Sequence, residues 1–177
     1  MNPKGRWLQF RSFWIFPSLA VLSITISRHY TENANYVDLL WLLPLGLFLW
    51  TFLEYILHRF VFHMESDGLH IKHHRQPADS AFILVIPELA ILISAGVAAA
   101  ILFLTRNYFF TAGIMVGIWI GFLYYETVHY RVHVGDANRG WIARQRRMHF
   151  HHHFRNSKQS FGVTTPIWDY IFKTAAD

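Results

Sequence analysis

At 177 residues the chain has the length of one domain, and its 53% hydrophobic and 18% aromatic content is too apolar for an ordinary soluble fold. It has no cysteine, which excludes disulfides, thiolate nucleophiles, iron–sulfur clusters and cysteine-ligated zinc. The formal charge of +5 sits on basic residues that flank apolar runs outside any recognisable nucleic-acid-binding module, so it points to membrane orientation and to no nucleic-acid partner.

Residues 1–12 carry Lys4, Arg6 and Arg11, and the run FWIFPSLAVLSITIS follows to Ser27. That run is short for a span, which needs about 20 residues, and its alternative reading is a cleaved signal peptide. After the polar loop RHYTENAN, residues 37–57 are long enough to cross, with Pro44 expected to kink the helix without ending it. Residues 81–104 form a third expected span and residues 107–125 a fourth, joined by a tight turn around Thr105, Arg106 and Asn107. Glu88 follows Pro87 inside an apolar run, where a charge costs roughly 2.5–3.5 kcal/mol at a helix centre. It is therefore assigned a packing or neutral hydrogen-bonding role. The expected fold is an all-α integral membrane protein of about four transmembrane helices with a cytosolic histidine-rich helical cap, one domain over residues 1–177.

Lys and Arg concentrate in the N-terminus, the 58–80 stretch and the tail after the last span, leaving only Arg28 and Arg106 elsewhere. The positive-inside rule then places the N-terminus, the middle loop and the tail in the cytosol. The membrane is expected to be a bacterial inner membrane or, in a eukaryote, the endoplasmic reticulum. Arg139, Arg144, Arg146 and Arg147 are assigned to anionic headgroups rather than to chemistry.

Both sides of the middle spans end in histidines. EYILHRFVFHMESDGLHIKHH carries His58, His63, His70, His73 and His74, and the second half answers with His129, His133, His149, His152 and His153. Neutral imidazole is a common metal ligand. Residues three and four apart share a helix face, so His70, His73 and His74 are expected to point at one place, and His149, His152 and His153 repeat the spacing. His58 and His63 are five apart and converge only if the helix ends or bends between them. Two groups of five overfill one site, since zinc takes three or four protein ligands, so two metal ions are expected. His29 falls on the opposite side of the membrane, and His151 is placed at the edge of the site or on the surface.

Imidazole ligation suits iron, copper, nickel or zinc and disfavours magnesium and calcium. No HExxH motif is present, so the usual zinc-protease arrangement is missing. Glu54, Glu126, Asp67 and Asp136 lie near the histidines and are assigned to accept the outer ring N–H of metal-ligating histidines, with interfacial helix-end residues as the alternative. Tyr55, Tyr124, Tyr125, Trp168 and Tyr170 are candidates for the wall of a substrate pocket or for an interfacial aromatic belt.

The segments EYILHRFVFH, HIKHHRQPADS, ETVHYRVH and HFHHHFRNSKQSFGVTTPIWDYIF resemble the catalytic region of the fatty acid 2-hydroxylases, within the fatty acid hydroxylase and sterol desaturase superfamily. The resemblance covers residues 53–174 and includes Glu54, Tyr55, Arg59, Pro77, Asp79 and the FGVTT-x-x-WDY-x-F ending. It implies that His58, His63, His70, His73, His74, His129, His133, His149, His152 and His153 hold two iron ions, with zinc able to replace iron in purified protein. It implies molecular oxygen as co-substrate, a membrane lipid or fatty acyl substrate hydroxylated at carbon 2, and an external electron donor: a cytochrome b5-like protein, a ferredoxin or a reductase. The stretch MESDGL between His63 and His70 is shorter than in eukaryotic members, which bears on substrate access. Other reactions of the superfamily, on sterols or carotenoids or as desaturation, are the nearest alternatives, and the WDY ending favours the fatty acid branch. A membrane metal transporter or sensor is the alternative from another class; it predicts ligands at mid-membrane depth rather than at one face.

Overall fold

The computed structural model describes residues 10–32, 34–64, 68–77, 79 and 83–176, and all regular structure among them is helical. In chain order the elements are α1 (Ser12–His29), a 3₁₀ turn (Tyr36–Asp38), α2 (Leu39–Ile56), a π-helical segment (Leu57–Phe62), α3 (Leu69–Arg75), α4 (Pro87–Thr105), α5 (Tyr108–Val134), α6 (Gly140–Phe154) and the short α7 (Ile167–Ile171). The chain divides into two compact units, one of Met1–Trp50 and Val85–Leu123, the other of Thr51–Leu84 and Tyr124–Asp177.

Among the described residues, three helical stretches are long and apolar enough to cross a membrane: Tyr36–Phe62, Pro87–Thr105 and Tyr108–Val134. The four expected spans therefore reduce to three that meet this measure. The 18-residue α1 forms a helix, but Ser18, Ser23, Thr25, Ser27, Arg28 and His29 dilute its apolar run. Its hydroxyls turn back on their own helix, Ser23 to the Ala20 carbonyl, Thr25 to Val21 and Ser27 to Ile24. Pro44 lies inside α2 without ending it.

Helix α4 begins at Pro87, six residues after the expected start. Proline at the first helical position has no N–H to lose and a φ already set for the helix. Ala81 lies outside the described residues. Glu88, in the first turn of α4, pairs with Arg11 at 2.9 Å and is well exposed. This corrects the expected neutral role: an ion pair at a helix N-terminus, where the dipole favours a carboxylate, removes the cost of a charge in an apolar run. The turn to α5 is as tight as expected, with Arg106 in the left-handed region at φ 53° and the Asn107 side chain accepting from the Phe110 N–H. Helix α5 continues nine residues past Tyr125, to Val134, as one uninterrupted element that bears His129 and His133.

The first unit is built on close backbone contact. Gly113, Gly117 and Gly121 recur every four residues on α5, a small-residue stripe of the kind that lets membrane helices approach. A Cβ on Gly117 would fall 2.4 Å from the Leu43 carbonyl oxygen, and one on Gly46 would fall 2.1 Å from that of Ile114. One turn further along, Trp50 covers Gly121 and Phe16 of α1 sits against Trp119 and Phe122. Gly117→Leu is expected to cost at least about 3 kcal/mol, beyond ordinary overpacking because backbone must move. Gly96→Leu, with no atom within 4 Å of its Cβ position, is the control. Thermal unfolding in detergent compares them, and equal midpoints would mean the helices do not meet through these glycines.

The second unit carries both histidine segments. Buried Asp169, on α7, accepts from the Phe161 N–H (2.9 Å), the Gly162 N–H (2.8 Å) and the Thr174 hydroxyl (2.8 Å), which folds the 159–174 segment into a buckle. Glu54, near the end of α2, closes the same buckle by accepting from the Val163 N–H (2.6 Å), the Thr164 N–H (2.8 Å) and the Thr164 hydroxyl.

Candidate metal centre

The π-helical segment solves the spacing of His58 and His63. A run of i→i+5 hydrogen bonds stacks residues five apart, whereas an α-helix would splay them. Their rings lie 5.3 Å apart and nearly parallel. No break in the chain is needed between them, only a change of winding.

Ten ring nitrogens gather into two groups, but the groups cross the sequence. The first is His58, His63, His70, His74 and His152, and the second is His73, His129, His133, His149 and His153; within each group the ligand atoms lie within 4.8 Å of one another. The expectation that His70, His73 and His74 point at one place is corrected: relative to a grouping by sequence, His73 and His152 have changed places. The helical wheel explains why. Taking His70 as reference, His74 is displaced about 40° one way and His73 about 60° the other, so the neighbours point about 100° apart. The i, i+4 pair stays together and the i+3 residue departs, in α3 and again with His149, His153 and His152 in α6.

The nitrogens fit a metal ion better than they fit one another. In the first group the Nε2 atoms of His58 and His70 are 3.0 Å apart, His63 and His70 3.3 Å, His70 and His74 3.1 Å, and His152 lies 3.1 Å from both His63 and His74. In the second, His73 and His129 are 3.1 Å apart, His133 and His149 2.8 Å, and His149 and His153 3.0 Å. Metal–nitrogen bonds of about 2.0–2.1 Å put adjacent ligands about 2.9–3.4 Å apart for angles between 90° and tetrahedral. The outer nitrogens of two members already hold their protons: His58 Nδ1 donates to the Phe161 carbonyl (2.6 Å) and His152 Nδ1 to the Gln159 carbonyl (2.8 Å). Their Nε2 atoms therefore present lone pairs to neighbouring nitrogens, an arrangement that a cation satisfies.

Electrostatics keeps the ligands in the form a metal requires. Burial, reinforced by neighbouring histidines, pushes His73 down to about 2, His152 to about 3 and His74 to about 4, and lowers His70, His149 and His153 as well. At neutral pH these imidazoles are uncharged and ready to ligate.

Of the four carboxylates assigned to the histidines, Glu54 and Asp136 bond to other groups. Glu54 gives its oxygens to the Val163–Thr164 backbone and the Thr164 hydroxyl, so it acts on the site through the loop. Glu126 is fully buried in α5, three residues before His129. Asp136 is exposed and accepts from the Asn138 amide (2.6 Å). Asp67 lies outside the described residues. Backbone carbonyls of Gln159 and Phe161 take the role expected of acids.

The five aromatic candidates for a pocket wall range from buried to exposed positions. Tyr125 is buried and stacks on the His129 ring, while Tyr55 is buried under the buckle with its hydroxyl 3.1 Å from that of Thr174. Trp168 donates to the Thr51 hydroxyl, Tyr124 stacks on Trp141 at the surface, and exposed Tyr170 accepts from Arg144. His29 packs on Tyr30 in α1, and His151 reaches Gln159 at the margin of the site. Asp169 and Gln159 were not singled out from sequence. The available signal was an acid between Trp168 and Tyr170 in the motif-bearing tail.

The family model described as fatty acid hydroxylase matches residues 43–174. The chain belongs to the fatty acid hydroxylase family. Among its relatives, a dihydroceramide fatty acyl 2-hydroxylase of Arabidopsis thaliana is 30% identical over 183 residues, covering 95% of this chain and 75% of the relative. The fatty acid 2-hydroxylase of Mus musculus is 31% identical over 167 residues, covering 86% of this chain and 44% of the relative. The chain thus spans less than half the length of that mammalian family member. The solved structure of full-length scs7p, in which only the hydroxylase domain is visible, superposes with a TM-score of 0.81 at 25% identity, covering 96% of this chain and 67% of that one. The matched family region contains all ten histidines of the two groups.

Proposed function

We propose that the protein is an oxygen-dependent di-iron lipid hydroxylase that inserts one oxygen atom into a C–H bond of a fatty acyl chain, at carbon 2. The observation that carries this reading is the pair of five-nitrogen groups within a fatty acid hydroxylase region. His58, His63, His70, His74 and His152 would hold one iron ion, and His73, His129, His133, His149 and His153 the other. Bound iron supplies the redox chemistry that activates molecular oxygen, which imidazole sites support.

The chain's own groups prepare that centre. The carbonyls of Phe161 and Gln159 fix His58 and His152 as Nδ1–H tautomers, so each Nε2 faces the ion. Glu54 and Asp169 hold the loop that presents those carbonyls. Burial keeps the imidazoles of α3 and α6 neutral. Substrate and donor remain those of the family reading: a membrane acyl lipid and an external electron carrier, with the histidines on the cytosolic face.

The experiment is metal analysis of purified protein followed by anaerobic reduction and an oxygen pulse with a mixed lipid extract. About two iron ions per chain and a 2-hydroxy acyl product are expected. New carotenoid or sterol alcohols with unchanged acyl chains would replace the substrate assignment, and a metal-loaded protein that consumes no oxygen with any donor would overturn the reaction.

A further inference from the structure

Helix α6 has a second functional face. Its inner side presents His149, His152 and His153 to the two groups, and Gln145 on that side is buried with its amide donating to the Val163 carbonyl. Arg144, Arg147, His151 and Arg155 recur at intervals of three, four and four residues, which places them along one opposite line of the helix. With Arg146, Tyr170, Phe150 and Phe154 they line an open cleft of about 730 Å³.

The cleft is strongly and selectively basic. No carboxylate lines it among the described residues. Arg144 is oriented by its bond to the Tyr170 hydroxyl (2.8 Å), and Arg146 lies over the Phe150 ring and reaches the Gly135 carbonyl at 3.4 Å. Arg147 and Arg155 are exposed and have no protein partner among the described residues. Guanidinium groups beside aromatic rings are suited to an acidic protein surface, because arginine pairs with carboxylates in a bidentate fashion and loses little hydration on docking.

One further feature separates this cleft from a patch that merely touches anionic lipid. His151 at its edge contacts Gln159 Oε1 (3.1 Å), and the Gln159 carbonyl accepts from Nδ1 of His152, a member of the first nitrogen group. The surface is thus joined to the metal-ligating side by one glutamine. A lipid headgroup gives no reason for that connection, whereas an electron donor needs a short route inward.

We propose that this cleft is the docking site of an acidic one-electron carrier protein. The inference rests on the hydroxylase reading, whose balance requires it: one oxygen atom enters the C–H bond, the other leaves as water with two protons, and two reduced carriers are each oxidised by one electron. The carrier's carboxylates would meet Arg147 and Arg155 first, since these have nothing to give up.

The test compares the wild-type protein with Arg147→Glu/Arg155→Glu, both in detergent. Two probes, a soluble cytochrome b5 haem domain and a plant-type ferredoxin, are titrated at low and physiological salt. Wild type is expected to bind at least one carrier, more weakly as salt rises, and the double variant to bind it on the order of tenfold or more weakly with unchanged metal content and helicity. Equal binding by both proteins overturns the proposal, as does binding of neither carrier by wild type. Loss of adhesion only to phosphatidylglycerol vesicles also overturns it and assigns the arginines to lipid. A single oxygen pulse after dithionite reduction bypasses docking: product from both proteins leaves the hydroxylase reading intact, and its absence from both defeats that reading whatever the carriers do.

Discussion

Replacing His73 and His129 together by alanine is expected to empty one metal site and leave the other at wild-type affinity, about one ion per chain, while replacing His73 and His70 together is expected to weaken both sites alike. The first pair belongs to one nitrogen group and the second pair is divided between the two. Grouping by sequence proximity predicts the reverse, because His70 and His73 are neighbours in α3 and His129 lies more than fifty residues away. The difference follows from ligand count: loss of His73 and His129 reduces one group from five nitrogens to three and leaves the other whole, whereas loss of His70 and His73 leaves four nitrogens in each. Metal analysis after equilibrium dialysis decides between the two groupings. One site of wild-type affinity beside one lost site in His70→Ala/His73→Ala would show that the crossed assignment is wrong. Either double variant is expected to lose hydroxylation, so activity alone does not distinguish them.

The second large effect is expected at Asp169, which touches no histidine. Asp169→Ala would strip acceptors from two buried N–H groups and a buried hydroxyl. Leaving such groups unsatisfied costs roughly 1–3 kcal/mol each, against a total stability of about 5–15 kcal/mol for a typical domain. The 159–174 buckle is therefore expected to open, and with it the carbonyls of Gln159 and Phe161 that orient His152 and His58. Outer hydrogen-bond partners of ligating histidines are typically worth 10–100-fold in metal affinity. The loss should fall on the first group, since both of those carbonyl bonds are made by its members. Asp169→Asn keeps one acceptor oxygen and is expected to fall between. Metal affinity measured for both variants, beside limited proteolysis of the tail, provides the check; an equal loss at both groups would show general unfolding in place of positioning.

The residues that announced the site were legible in the sequence because ten histidines with recurring i, i+3 and i, i+4 spacing are hard to place in any other role. Their partition was not legible, because spacing says which residues share a helix face but not that a short helix lies between two sites. The convergence of His58 and His63 required a choice between a break and a change of winding, and only hydrogen-bond register distinguishes them. Acidic residues were assigned to the histidines by nearness in sequence, whereas Glu54 spends its oxygens on a loop more than a hundred residues away. The contact at Gly46 and Gly117 was missed for a similar reason: the stripe on α5 is visible, but the backbone it meets is not. Glu88 gave the opposite error, since an acid in an apolar run was read from its own surroundings and its partner, Arg11, comes from a distant segment.

The exchange of His73 and His152 also sets a timetable for making the protein. As the chain is synthesised, His58, His63, His70 and His74 emerge together, yet their fifth member arrives some eighty residues later, on α6. The other group begins with His73 and waits for His149 and His153. Neither can close until α6 has left the ribosome, and the 159–174 buckle that orients two members comes later still. Metal acquisition thus waits for α6, and a prematurely terminated chain that ends before α6 has no complete place to keep the metal.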